Sequence, residues 1–197
     1  MAHFSRVSTT MLSWLTHRKR LKRSAQALYG SIVAQAREPQ FYARNGVPDT
    51  MEGRFEMVLV HLFIVQNRLK AEGRVARSLS QAVSEVFVSE IDSAMRELGV
   101  GDLAVPKRMR KVGEAYLGRL QSYVDALADP DGSVLPAALA RNIWAPEDDL
   151  DLSSGSATDQ KADVEALAAY VRAASTQLAA CSYDDLSAGR LDFPVLK

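Results

Sequence analysis

Residues 95–130 read MRELGVGDLAVPKRMRKVGEAYLGRLQSYVDALADP and contain a helix end, a corner and a second helix. Leu98 is the last apolar position of one helical pattern. Gly99 follows it, where a left-handed residue, which costs glycine little, closes a helix. Pro106 suits the first turn of the next helix because its missing N–H would be unpaired there anyway. Asp129-Pro130 ends that helix, so the stretch predicts two helices joined at a tight corner.

The second helix carries an apolar stripe and, outside it, four cations. The stripe residues recur at steps of three and four, as on the buried face of a helix: Val105, Met109, Val112, Tyr116, Leu120, Tyr123 and Leu127. The cations occupy the first turns, where the helix dipole disfavours positive charge by roughly 0.3–1 kcal/mol each: Lys107, Arg108, Arg110 and Lys111. A sequence selected only for folding has little reason to place them there, so we interpret them as contacts for a partner.

Two glycines interrupt this helix, and each costs roughly 1 kcal/mol relative to alanine. Gly113 lies beside apolar positions, which favours close packing of a neighbouring helix over a binding role. Gly118 projects toward the polar residues Glu114 and Gln121, and we interpret it as a flat spot for a partner.

Similar patterns predict helices over residues 21–36, 51–69, 79–98, 135–144 and 164–178, and the apolar bulk of 51–69 predicts the central helix of the core. Alternation of period two is absent over any useful length. The sequence therefore predicts an all-α protein, a single irregular bundle of about five to seven helices with a basic N-terminal arm. We expect the arm over residues 1–20 and the helical domain over 21–197, with an acidic C-terminal part over 131–197.

The net charge of zero hides a strong asymmetry along the chain. Residues 1–74 hold 12 Lys/Arg and 5 Asp/Glu, whereas residues 120–197 hold 5 and 13. The basic end suits phosphate or an acidic surface, unless folding brings both ends together. Residues 1–37 contain no acidic residue, which is typical of a mitochondrial transit peptide but equally of a solvated arm, or of one that contacts a membrane surface or RNA. Residues 145–157 read as an acidic exposed loop.

Nothing in the sequence predicts catalysis, a metal or a cofactor. Cys181 has no cysteine partner, and the histidines are too scattered to form a zinc site with it. The spacing Gly99-x-Gly101-x-x-Ala104 matches a dinucleotide fingerprint, but it follows a helix rather than a strand. We interpret His61 as a hydrogen-bonded residue on a helix flank with no catalytic role. No stretch is apolar enough for a membrane span.

Two segments, 41–69 and 87–127, resemble the ubiquinol-cytochrome c chaperone family, and the likeness covers about residues 25–130. The residues that carry it are the Phe41-Tyr42 pair, Asp49-Thr50, Gly53-Arg54-Phe55, the corner from Arg96 to Asp102, Lys107-Arg108, Gly118-Arg119 and Tyr123. The acidic C-terminal third matches no pattern of the family. An excess of 17 Arg over 7 Lys suits a bacterial member.

The resemblance implies an all-helical assembly chaperone without catalytic activity. Such a protein binds newly made cytochrome b, the membrane-protein client, during biogenesis of the respiratory cytochrome bc complex. Mitochondrial relatives also act at the ribosome with a small partner protein. The expected location is the cytoplasm, at the inner face of the inner membrane, or the mitochondrial matrix in a eukaryote.

The charge pattern supports a second hypothesis, a helical RNA- or ribosome-binding module, because basic clusters contact phosphate. Under either hypothesis we expect one partner-binding surface at the corner, formed by Arg96, Asp102, Lys107, Arg108, Lys111 and Arg119. An internal salt-bridge set with the acidic C-terminal third is the alternative for these charges.

Overall fold

The computed structural model describes residues 5–144 and 157–195, and all regular structure in these ranges is α-helical. The elements are α1 (Ser5–Ala36), α2 (Pro39–Ala43), α3 (Met51–Ala71), α4 (Arg77–Glu97), α5 (Val105–Leu127), α6 (Val134–Ile143), α7 (Ala157–Ala179) and α8 (Tyr183–Ser187). The all-α prediction is confirmed. The predicted acidic loop falls almost entirely outside the described residues. None of the described helices is long and apolar enough to cross a membrane.

Helix α3 is the centre of the bundle. It packs against α1, α4, α5, α6 and α7, and every residue from Glu56 to Gln66 is buried. The Thr50 hydroxyl caps its start by accepting the Gly53 N–H at 3.1 Å. A Cβ at Gly53 would lie 2.1 Å from the Pro48 carbonyl oxygen, so this turn needs a glycine. The predicted central helix is confirmed.

Helix α1 ends at Ala36 as predicted but begins at Ser5, well before the predicted Leu21. No proline or glycine lies between residues 5 and 21, so helix propagation meets no barrier there. Among the side chains of α1 that the structure describes, those of Ala25, Leu28, Ile32 and Ala36 are fully buried. The side chains of residues 16–20 are exposed. The arm is therefore helical from residue 5 on, and a domain boundary at residue 20 stays a prediction.

The corner between α4 and α5 forms as the glycine predicts. Gly99 has a φ of 76°, and its N–H bonds to the Arg96 carbonyl at 3.0 Å. The Val100 N–H bonds to the Met95 carbonyl at 3.0 Å, which completes a Schellman motif. Pro106 occupies the second position of α5. The predicted stripe of α5 faces inward, fully buried at three positions and half-buried at the others.

His61 lies in the core, not on a flank, because α3 is surrounded by other helices. Its Nδ1 lies 2.8 Å from the Met57 carbonyl oxygen and so carries the proton, while Nε2 accepts from the Tyr170 hydroxyl at 2.8 Å. The rings of Phe41 and Phe193 contact it at centroid distances of 5.3 and 5.4 Å. Burial lowers the pKa of His61 to about 4. The predicted hydrogen-bonded histidine is confirmed, and it holds the C-terminal part of the chain on α3.

We predict that acid destabilises the protein through His61. The unfolded chain binds a proton there near pH 6.5, whereas the folded chain does so only near the folded pKa of about 4. The free energy of unfolding should therefore fall by roughly 2 kcal/mol between pH 7.5 and pH 5. Urea titrations at the two pH values measure it, and His61→Gln should lose most of this fall. Glu56, whose pKa is raised by burial, acts in the opposite sense, so the comparison with the variant is decisive. An equal fall in both proteins would contradict the prediction.

Candidate functional site

The predicted site residues at the corner divide into a paired and an unpaired group. Arg96 bridges two carboxylates, Asp92 at 2.8 Å and Asp102 at 2.6 Å. The hydrogen bond and charge of Asp92, reinforced by Asp102, raise the pKa of Arg96. Arg96 and Asp102 therefore link the end of α4 to the turn that follows it.

Lys107, Arg108 and Lys111 are exposed and form no ion pair with any residue that the structure describes. Lys107 and Lys111 lie one turn apart on the same face of α5. Two leucines are exposed beside them, Leu98 at 63% and Leu103 at 99%. The corner thus presents cations and apolar side chains together. The acidic residues 147–151 lie outside the described ranges, and the side chain of Asp159 is not described either, so the alternative of an internal salt-bridge set stays open for these residues.

Arg119 serves the core and lies apart from the corner. It contacts the Glu56 carboxylate through two nitrogens, at 2.6 and 2.7 Å. Glu56 is only 5% exposed, and burial raises its pKa while Arg119 opposes the rise. Twelve residues separate Arg119 from Lys107, or about 18 Å along a helix. The structure brings Arg96 and Asp102 together beside the start of α5, but it does not bring Arg119 to them.

We predict that Arg119→Ala destabilises the protein by roughly 2–3 kcal/mol, because it leaves the buried Glu56 charge without its partner. The melting temperature should fall by about 5–10 °C. Lys107→Ala is the control and should change stability by less than about 0.5 kcal/mol. Replacing both partners by methionine should recover much of the loss, since no uncompensated charge then remains. If Arg119→Ala melts at the same temperature as the wild type, this structural role is ruled out.

The interpretation of Gly113 as a site of tight helix packing is wrong. No atom of a neighbouring element lies within 4 Å of a Cβ built at Gly113 or at Gly118. The spacing placed Gly113 beside apolar residues correctly, but α5 lies at the edge of the bundle and no described helix covers that side. At both glycines the backbone of α5 is therefore not covered by a neighbouring element.

We predict that Gly113→Ala and Gly118→Ala each stabilise the protein by about 1 kcal/mol, because alanine favours the helix and nothing obstructs the added methyl group. Each change should raise the melting temperature by about 2–4 °C. Gly53→Ala is the matched control within a helix, and it should destabilise because of the contact with Pro48. Loss of stability in Gly113→Ala would show that a neighbour does pack there.

Two grooves flank α5, and sequence reasoning missed both. The first holds about 680 Å³ between α5, the end of α3 and the start of α4. The second holds about 720 Å³ between α4 and the start of α5. Leu117, which is 66% exposed, borders the first groove together with the exposed cations Lys70, Arg74 and Arg77. The sequence did offer a signal for Leu117, because it is an apolar residue outside the predicted stripe. It offered none for the three cations, because they come from another part of the chain.

The described residues contain no group of His, Cys, Asp or Glu side chains that could hold a metal ion. The exposed features are a corner of leucines and cations and two grooves with apolar walls. Exposed apolar surface beside cations is a common mark of an interaction site, and here it lies on an all-helical bundle.

The chain belongs to the ubiquinol-cytochrome c chaperone family, whose sequence profile matches residues 43–193. The match extends through the C-terminal third, where we expected no likeness. A crystal structure of the Cbp3 homolog from Brucella abortus superposes with a TM-score of 0.76 and 34% identity, over 95% of this chain and 97% of that one.

Two curated relatives are animal proteins named ubiquinol-cytochrome c reductase complex assembly factor 1. The Xenopus laevis protein is 22% identical over 63% of this chain and 62% of its own length. The Mus musculus protein is 24% identical over 64% of this chain and 42% of its own length. This chain therefore matches less than two thirds of either relative.

Proposed function

We propose that this protein is a non-enzymatic assembly chaperone that binds newly made cytochrome b during biogenesis of the cytochrome bc complex. Membership of the chaperone family carries the proposal. The names of the animal relatives refer to assembly of the ubiquinol-cytochrome c reductase complex, which supports it.

The corner supplies a surface suited to such a client. Leu98 and Leu103 offer apolar contact for a membrane protein outside its bilayer. Lys107, Arg108 and Lys111 offer cations that no described residue neutralises. Placing these cations at a helix start lowers helix stability, which a contact with a partner would offset. The proposed binding surface includes Arg96 and Asp102, which hold the corner in shape. Arg119, which pairs with Glu56, lies outside it.

The proposed place of action is the inner face of the inner membrane, reached from the cytoplasm or, in a eukaryote, from the matrix. The exposed basic stretch from Arg18 to Arg23 on α1 supports peripheral contact with anionic lipid. The ribosome and a small partner protein are further proposed contacts of the same chaperone.

We predict that deleting the gene lowers the amount of assembled cytochrome bc complex, measured by its haem spectrum and by native gels. Wild-type protein should restore the complex. A Lys107→Glu, Arg108→Glu, Lys111→Glu triple variant should capture at least about tenfold less cytochrome b. Its melting temperature should not fall below that of the wild type, since the three side chains are exposed and unpaired and the helix dipole favours glutamate at a helix start.

The matched control reverses three exposed cations elsewhere, Arg37, Arg44 and Lys161, with the same change of charge. The control should capture cytochrome b normally. Unchanged complex in the deletion strain, in a host that needs the complex for growth, would overturn the proposal. A large loss of stability in the corner variant with capture intact would instead make the corner cluster structural.

A helical RNA- or ribosome-binding module is the second candidate, favoured by the basic exposed stretch of α1. Phosphate contacts make binding steeply dependent on salt, and each lost contact lowers the slope by roughly 0.7–0.9. Ribosome co-sedimentation across a range of salt concentrations distinguishes the two. Capture of cytochrome b that persists at high salt supports the chaperone, whereas a steep slope without capture supports the alternative.

A further inference from the structure

Helix α5 carries a second apolar row, which overlaps its buried stripe at Met109 and Leu120. Its members recur at steps of three and four and so lie along one side of the helix: Pro106, Met109, Gly113, Leu117, Leu120 and Val124. We call these six residues the α5 row. It runs for about 27 Å, or five helical turns. Leu117 in its middle is 66% exposed, and Pro106 is exposed as well. The other four members are half-buried, so the α5 row lies along the edge of the buried stripe, between the core and solvent.

The α5 row runs along both grooves, and we call the two grooves with the row between them the trough. Leu117, Leu120 and Val124 line the first groove, and Pro106 and Met109 line the second. Gly113 falls between the two sets, and no neighbouring atom lies within 4 Å of its Cβ position. A small residue at the midpoint of an apolar row lets a second backbone approach closely.

The trough is cationic at one end. Lys70, Arg74 and Arg77 stand at the rim of the first groove, all exposed and without an ion pair to any described residue. At the other end the rim holds Glu85, which accepts a hydrogen bond from Gln81 at 2.9 Å. Asp92 at that end is paired with Arg96. Among the residues that line the two grooves, the cations without an ion pair to a described residue therefore lie at the first groove only.

We propose that the α5 row docks one apolar helix of a partner protein. The helix is about five turns long, its backbone passes closest at Gly113, and its acidic end lies against Lys70, Arg74 and Arg77. Row spacing of three and four residues suits a helix, because packed helices interdigitate such ridges at interaxial distances of about 8–10 Å. That this helix comes from the client rests on the proposed function, whereas the docking itself does not.

Two synthetic peptides test the charge of the occupant. Both are fluorescein-labelled 20-residue helices of Leu and Ala kept soluble in mild detergent, one with two Glu residues at one end and its twin with two Lys residues there. Binding to the full chain is followed by fluorescence anisotropy. The Glu peptide should bind at least about tenfold more tightly than the Lys peptide. Reversing Lys70, Arg74 and Arg77 to Glu should invert that order.

Two glycine variants test the position of the occupant. Gly113→Leu fills the point of closest approach and should weaken binding of the Glu peptide by about tenfold or more. Gly118→Leu is the matched control, since this glycine is equally free of neighbours but lies about 140° around α5 from Gly113. It should bind as the wild type does. Circular dichroism melts confirm that both variants fold.

Equal binding of the two peptides, or equal effects of the two glycine variants, would overturn the proposal. A second result would also overturn it: the chain binds a fluorescent fatty acid but neither peptide, and Leu117→Glu abolishes that binding. The trough would then hold a lipid chain. Failure here with cytochrome b capture intact would leave the proposed function standing. The converse outcome is also distinguishable. If the peptides bind as expected but the deletion strain still assembles the cytochrome bc complex, the docking face is supported and only cytochrome b as its client is rejected.

Discussion

The fold depends on a central helix that is buried on every side yet carries polar groups. Glu56, His61 and Gln66 of α3 each bond to a different helix: Arg119 of α5, Tyr170 of α7, and Ser80 with Ser84 of α4. A buried polar group left without its partner costs about 1–3 kcal/mol. The three contacts therefore fix the position of three surrounding helices relative to α3, which apolar packing alone specifies less sharply.

The same arrangement explains why α5 can carry exposed cations and glycines that lower helix stability. Its buried face is held to the core by two tyrosines. The Tyr116 hydroxyl lies within hydrogen-bond distance of the Ser84 hydroxyl, at 3.1 Å, and the Tyr123 ring packs on the Phe63 ring with centroids 5.5 Å apart. Tyr123 is also bonded by Asn142 of α6. These contacts lie in the middle and at the end of the helix, so its first turns and outer side need not contribute to the core. Cations and glycines that lower helix stability are tolerated there and remain available to a partner.

The C-terminal third has a structural role that its composition does not reveal. Helices α6 and α7 cover α3 on the side that the first five helices leave open, and Tyr170 and Phe193 close the ring cluster around His61. From the sequence alone we expected no pattern of the family in residues 131–197, yet the family profile continues to residue 193. The C-terminal third contributes core contacts that are spread over a long stretch of sequence, and a search for short motifs does not detect such a pattern.

The sequence by itself determined the six longer helices apart from the start of α1, the corner and the central position of α3, because these depend on local spacing, a left-handed glycine and apolar bulk. It also singled out the corner cations, which conflict with the helix dipole. Only the tertiary structure decided that Arg119 pairs with Glu56 rather than standing free at the corner, since 63 residues separate the two. It likewise decided that Gly113 faces open space and that Lys70, Arg74 and Arg77 stand beside Leu117. Such placements depend on how helices pack against one another, and spacing within one helix carries no information about which of its sides a neighbour covers.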